Sequence, residues 1–326
     1  MTVAVTGGSG VVGSALVRHL LASGAEVRAL ARGEVSADTL RRLGAETVHG
    51  DVLDLQSLRP LVAGVDLVFH VAGVNEICPA RPRRMWDVNV EGTRNVVEAC
   101  RLAGVPRLVH TSSASTIGQE KGEIGSESTT HRGWYLSDYE RSKSAAERLA
   151  LEASGELDVV VVNPASVQGP GRATGTGRIF LAAARKRLPV AVDVEVSLVD
   201  IDDCSEGHVL AAERGRRGER YLLAGATLRV SDALAVLSEA LGEEVGSRFV
   251  PPGSLMPVAA LVEAVFAVSG RAAPLCREAV RVWAHGHAYD GTRASRELGL
   301  RYTPLRETIG RTVEWFRAEG LLHPHR

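Results

Sequence analysis

Val3-Ala4-Val5-Thr6-Gly7-Gly8-Ser9-Gly10-Val11-Val12-Gly13 runs from a short apolar strand pattern, through a glycine turn, into a helix pattern. The chain holds 34 glycines, so the triplet at 7, 10 and 13 alone says little, and the strand-turn-helix setting carries the inference. Gly7 permits the tight turn, Gly10 lets backbone N–H groups approach a pyrophosphate, and Gly13 allows close helix-to-strand packing. The helix N-terminus, at Val11 and Val12, favours negative charge. The helix extends from about Gly10 to Ser23 and stops at Gly24.

Working outward, short Val/Ala/Leu runs alternate with helix-length segments: Val3 to Thr6, Glu26 to Ala31, Glu46 to Gly50, Leu67 to Val71, Leu108 to Thr111 and Leu157 to Asn163. Near-continuous apolar strands separated by helices imply a parallel sheet buried on both faces, a Rossmann-type doubly wound α/β fold. A helix begins near Trp86 and carries Asn89-Val90-Glu91-Gly92-Thr93. The expected dinucleotide-binding domain spans residues 1–165, with a returning segment around 196–225 whose last strand is Tyr221 to Ala224. Residues 166–195 and 226–326 form a smaller, mainly helical substrate-binding region. Within it, the glycine-rich stretch Gln168 to Gly177 reads as a loop over a pocket, and Leu305 to Glu319 as an amphipathic helix.

The second strand ends Leu30-Ala31-Arg32, where NAD-binding folds usually place an acid about 20 residues beyond the glycines. Ala31 replaces that acid, and the Arg32 guanidinium suits a 2′-phosphate, so NADP(H) is favoured, with NAD(H) as the alternative. Tyr139-Glu140-Arg141-Ser142-Lys143 sets a phenol and an ammonium one helical turn apart, in a chain with five tyrosines and three lysines. About 0.05 such pairs are expected by chance. The ammonium beside the phenol is expected to lower its pKa toward the range of a general acid. A surface helix pair is the other reading of this motif.

A formal net charge of -1 and pI near 6.8 give no general attraction to nucleic acid or anionic membrane. The basic runs Arg81 to Arg84 and Arg214 to Arg220 read as solvated surface. Cysteines at 78, 100, 204 and 276 lack metal-ligand or C-x-x-C spacing. Buried free thiols in a reducing compartment, with no metal site, are therefore expected, and the N-terminus shows no signal peptide, which favours the cytoplasm. The apolar run Leu255 to Val268 is too short to span a bilayer and is expected as a packed helix. His49, His70, His110, His131 and His208 read as structural or surface residues.

Together these pieces resemble the extended short-chain dehydrogenase/reductase superfamily of the NAD(P)-dependent epimerase/dehydratase type. The order TGGSGVVG, HGDVLD, FHVAG, NVEGTRN, VHTSSAST, YERSK and VVNPASVQGPG carries the likeness over nearly the whole chain. The tail from Gly291 to Leu322 is similar to dihydroflavonol-reductase-like and hopanoid-associated epimerase-like members. The resemblance implies that Asp51 and Val52 contact the adenine, Ala72 and Gly73 lie along the cofactor, and Pro164 and Val167 border the nicotinamide. It further implies that Ser113 binds the reacting carbonyl, with Ser112 and Ser115 as competitors, and that Asn89 helps hold a water and the lysine. Tyr139 and Lys143 then serve both catalysis and cofactor binding, Lys143 holding the nicotinamide ribose.

The implied chemistry is hydride transfer between the cofactor and a carbonyl or alcohol carbon. The expected function is reduction of a small or medium carbonyl metabolite, or oxidation of the alcohol. A sugar or nucleotide-sugar epimerase, with Asn163 and Arg178 at a phosphorylated sugar, is the second reading, and a non-catalytic NADP(H) sensor the third. A homodimer is expected only by analogy with relatives.

Overall fold

The computed structural model describes residues 1–269 and 271–322. Seven strands make the central sheet: β1 (Thr2–Thr6), β2 (Glu26–Ala31), β3 (Glu46–His49), β4 (Leu67–His70), β5 (Arg107–Thr111), β6 (Asp158–Pro164) and β7 (Arg220–Leu223). Their order is β7-β6-β5-β4-β1-β2-β3, every pairing parallel. The direction of winding reverses between β1 and β4, so the ligand crevice of such a sheet opens beyond the carboxyl ends of these two strands.

The strands are apolar throughout because both faces are covered. Val3, Val5, Val160 and Val162 enter one core, shared with the helix α1 (Val11–Ala22) and the helix Ile201–Arg214. Ala4, Val68, Leu108, Val159 and Val161 enter the other, beneath the helices Leu55–Val62, Gly92–Ala103 and Asp138–Glu152. Alternate residues thus feed opposite cores, and each fully buried Val or Leu contributes about 1.5–3 kcal/mol.

Beyond β6 the chain builds a three-stranded sheet from Ser166–Gln168, Glu195–Asp200 and Ala226–Arg229. A third core joins Leu198 of this sheet to the helices Gly177–Ala184, Val230–Leu241 and Leu305–Ala318. The second sheet was not expected from the sequence; its strands are short, and Ser166–Gln168 ends where the glycine-rich loop begins.

Two expectations fail here. Cys78 and Cys276 are not free thiols but form a disulfide, with Cα atoms 5.8 Å apart across 198 residues of sequence. Cys100 and Cys204 are free and buried. The reducing compartment inferred from four free thiols loses that support. The bond ties the loop after β4 to the first turn of the helix Arg277–His285, where Cys276 is the N-cap.

The apolar helix Met256–Ser269 is also less covered than expected. Ala259 is fully buried, but Val258, Leu261, Val265 and Val268 are exposed, because a helix apolar on every side has more surface than its neighbours can cover. No helix among the described residues is long and apolar enough to cross a membrane.

Candidate active site

A cavity of about 1160 Å³ opens at the switch point. Gly7, Gly10, Val11, Val12 and Gly13 line one end, joined by Arg32, Asp51, Val52, Ala72 and Gly73. Ser113, Tyr139, Lys143, Pro164 and Val167 line it further along. Every residue assigned to cofactor or catalysis from the sequence, except Asn89, therefore shares one cavity wall.

The glycine turn is closed to side chains. Gly7 has φ +73°, and a Cβ there would stand 2.5 Å from the Ala72 nitrogen; a Cβ on Gly13 would stand 2.1 Å from the Gly7 carbonyl oxygen. No side chain caps α1, which leaves its first turn for an anion. This cradle fits a dinucleotide diphosphate. Arg32 is exposed and has no hydrogen-bond or ion-pair partner among the described residues, and Ser36 and Thr39 line the same wall. Ala31 ends β2 where a ribose-binding acid would stand, and the first carboxylate after it, Glu34, pairs with Arg41 at 3.5 Å.

Tyr139 and Lys143 lie on the helix Asp138–Glu152, whose N-cap Ser137 accepts a hydrogen bond from the Glu140 N–H at 3.1 Å. Lys143 is buried and Tyr139 half-buried, and both line the cavity, so the surface-pair reading is excluded. The structure reverses the expected shift of the phenol. Burial raises the Tyr139 pKa, against the smaller lowering effects of its hydrogen bond with Ser113 and of the Arg172 charge. Lys143 itself is pushed down to about 8 by burial, Glu147 acting in the opposite sense. Its Nζ donates to the Thr111 carbonyl at 2.7 Å. The i,i+4 spacing gave the shared helix face but not the desolvation, which dominates once both groups leave water.

Of the competing serines, Ser113 lines the cavity with Tyr139, and Ser115 donates to the Ser113 Oγ at 3.0 Å. Ser112 instead donates to the Glu147 carboxylate. Asn89 sits in a π-turn, Asp87–Glu91, fully buried. Its amide joins both backbone groups of Val74, at 2.7 and 3.0 Å, and donates to Ser142 at 2.9 Å. These bonds fix the loop after β4 against the Tyr139 helix, and Asn89 makes no hydrogen bond to Lys143.

Glu147 is the residue that sequence reasoning missed. It continues the Tyr139-Lys143 face and is 3% exposed, so its charge needs partners. It accepts from Thr116 and Asn163 at 2.6 Å each, and from Arg220 at 3.0 Å. Arg220 is therefore a structural cation of β7 and not surface charge. The spacing of four residues between Lys143 and Glu147 was the available signal. Asn163 is consumed in this cluster, and Arg178 is exposed and outside the cavity lining.

His70 and His110 are buried beside each other, ring centroids 5.3 Å apart. Burial, with the Lys143 charge adding to it, holds His70 down near 3 and His110 well below its usual range. Both are neutral. His70 bridges Thr6 and Thr93 at 2.7 and 2.9 Å, tying β1 to the helix Gly92–Ala103.

A parallel sheet with a glycine turn at its switch point, next to a buried tyrosine-lysine helix, defines a dinucleotide-binding enzyme of the short-chain dehydrogenase/reductase type. The chain belongs to the NAD dependent epimerase/dehydratase family, whose model matches residues 3–224, within the extended branch of that superfamily. It is 34% identical over 97% of its length to a Synechocystis sp. protein named as a dihydroflavonol 4-reductase, covering 94% of it. It is 35% identical over 99% of its length to sterol demethylase protein B of Methylococcus capsulatus, covering 100% of that protein. Among solved structures, the crystal structure of gox2253 superposes with a TM-score of 0.87 at 32% identity, over 99% of both chains.

Proposed function

We propose that this chain is an NADP(H)-dependent oxidoreductase. It reduces a ketone or aldehyde of a small or medium metabolite, or oxidises the corresponding alcohol, with Tyr139 as general acid and base. The observation that carries this reading is that Ser113, Tyr139 and Lys143 line the same cavity as the glycine cradle. The bound dinucleotide supplies or accepts the hydride.

In reduction, the substrate oxygen lies between the Ser113 and Tyr139 hydroxyls. Ser113 orients it and stabilises its growing negative charge, and Tyr139 gives up its proton. A phenol with a raised pKa is fully protonated at neutral pH, ready to act in this direction. Lys143, near 8 and in the same wall, carries exchangeable protons at neutral pH and favours the phenolate once it forms. Arg32, with Ala31 in place of an acid at the end of β2, would hold a 2′-phosphate. An epimerase would need other contacts to a phosphorylated sugar, since Asn163 and Arg178 are both outside the cavity lining.

The test is Tyr139→Phe assayed with NADPH against a ketone and aldehyde panel. Turnover falls by at least about 100-fold, with NADPH affinity within twofold of wild type. A variant keeping most of its activity refutes the assigned acid.

A further inference from the structure

The loop between the strand Ser166–Gln168 and the helix Gly177–Ala184 carries a cation the assigned chemistry does not use. Arg172 lines the same cavity as Ser113 and Tyr139. Its Nε is buried with no hydrogen-bond partner, and none of its guanidinium nitrogens has an ion-pair or hydrogen-bond partner among the described residues. Two glycines of the loop close around it. A Cβ on Gly175 would stand 2.7 Å from Nη2, and one on Gly177 would stand 2.3 Å from the Arg172 carbonyl oxygen. Gly175 has φ +56°, a conformation other residues adopt only with strain. The loop thus gives its local freedom to hold one guanidinium in place.

An arginine stays charged in any protein environment, and a half-buried charge without a partner costs free energy unless a ligand supplies the counter-charge. We propose that Arg172 is the anchor for an oxyanion of the substrate, a carboxylate close to the reacting carbon, so that the substrate is a keto or hydroxy acid. This rests on the cavity being a substrate site, as the proposed function requires. Phe180, Leu188, Val192, Leu234, Leu255 and Val282 give the cavity a large apolar share, which suits a hydrocarbon body behind the acid group.

Two sources offer an oxyanion: the substrate and the dinucleotide diphosphate. The diphosphate already has the glycine cradle and the first turn of α1. Tyr139 is one of the groups whose charge acts on Arg172, and the guanidinium in turn acts on the phenol. That coupling, together with a place in the same cavity lining as Ser113 and Tyr139, favours the reacting end of the cavity for the cation. A planar fork matches a carboxylate through two parallel bonds.

The experiment measures binding of octanoate and octanamide to the NADP-saturated protein, for wild type, Arg172→Met and Arg172→Lys. Wild type is expected to prefer octanoate by roughly 10- to 100-fold. Arg172→Met reduces the preference below about threefold, and Arg172→Lys keeps part of it. NADPH affinity stays within twofold in both variants, which also shows that they fold. Equal affinity of wild type for the two ligands, undetectable octanoate binding included, overturns the proposal. So does a preference that survives in Arg172→Met. A tenfold loss of NADPH affinity in that variant also overturns it, assigning Arg172 to the diphosphate. None of these readouts needs turnover, so failure of the oxidoreductase reading would show separately in the Tyr139→Phe assay.

Discussion

Replacing Lys143 with Met should stabilise the cofactor-free protein near neutral pH. Lys143 is 5% exposed, and burial lowers its pKa from 10.5 to about 8. The folded pKa lies below the unfolded one, so between pH 8 and 10.5 the unfolded chain binds the extra proton and stability rises with pH. Below 8 the full penalty is present: lowering the pKa from 10.5 to about 8 corresponds to about 3 kcal/mol. Methionine keeps the aliphatic stem and removes the charge, and loses the bond to the Thr111 carbonyl, about 1 kcal/mol. The net gain at pH 7 is about 2 kcal/mol, or about 3 °C in Tm for a chain of this size. Near pH 10 most of the penalty has vanished and the lost bond offsets the rest, so the two proteins should have nearly equal stability. Urea unfolding of wild type and Lys143→Met from pH 6 to pH 10 measures this directly. A variant less stable than wild type at pH 7, or a difference that does not change with pH, would refute the reasoning. The gain is expected to come with loss of turnover, because the penalty belongs to a charge kept for function.

Arg32→Ala should weaken NADPH by roughly 10- to 100-fold, the scale of a lost charge-assisted phosphate contact, and NADH by less than about threefold. Titration of each cofactor by fluorescence checks this, and equal losses would remove the 2′-phosphate assignment. For the Cys78–Cys276 bond, alkylation of the denatured, unreduced protein should label two thiols, against four after reduction. Cys78→Ser should lower stability by about 2–4 kcal/mol through the loop it releases; four labelled thiols before reduction would contradict the bond.

The sheet was legible because strands buried on both faces must be apolar at nearly every position, and the runs from Val3 to Asn163 were. The glycine turn was legible because its setting between strand and helix is local. The Tyr139-Lys143 face was legible for the same reason. What local pattern does not carry is depth. Spacing showed that the phenol and ammonium share a face, but not that desolvation outweighs their mutual effect. Arg220 looked like surface charge within a basic run, since its partner Glu147 lies 73 residues away. Cys78 and Cys276 gave no spacing signal at a separation of 198 residues. The run Leu255 to Val268 allowed an exposed face but not its extent, because an apolar sequence does not say how much surface its neighbours supply. Arg172 stood in a glycine-rich stretch that read only as a loop over a pocket; its unpartnered guanidinium is a property of three-dimensional arrangement.

The most direct test of the central claim is to denature freshly purified protein, identify any released dinucleotide, and time the exchange of added NADPH with the intact protein. An oxidoreductase must release its cofactor each cycle, so the account predicts an empty site, or NADP(H) that exchanges within seconds and binds more tightly than NADH. Stoichiometric NAD(H) that stays bound through purification and does not exchange would contradict it, and would point to a cofactor recycled within each turnover.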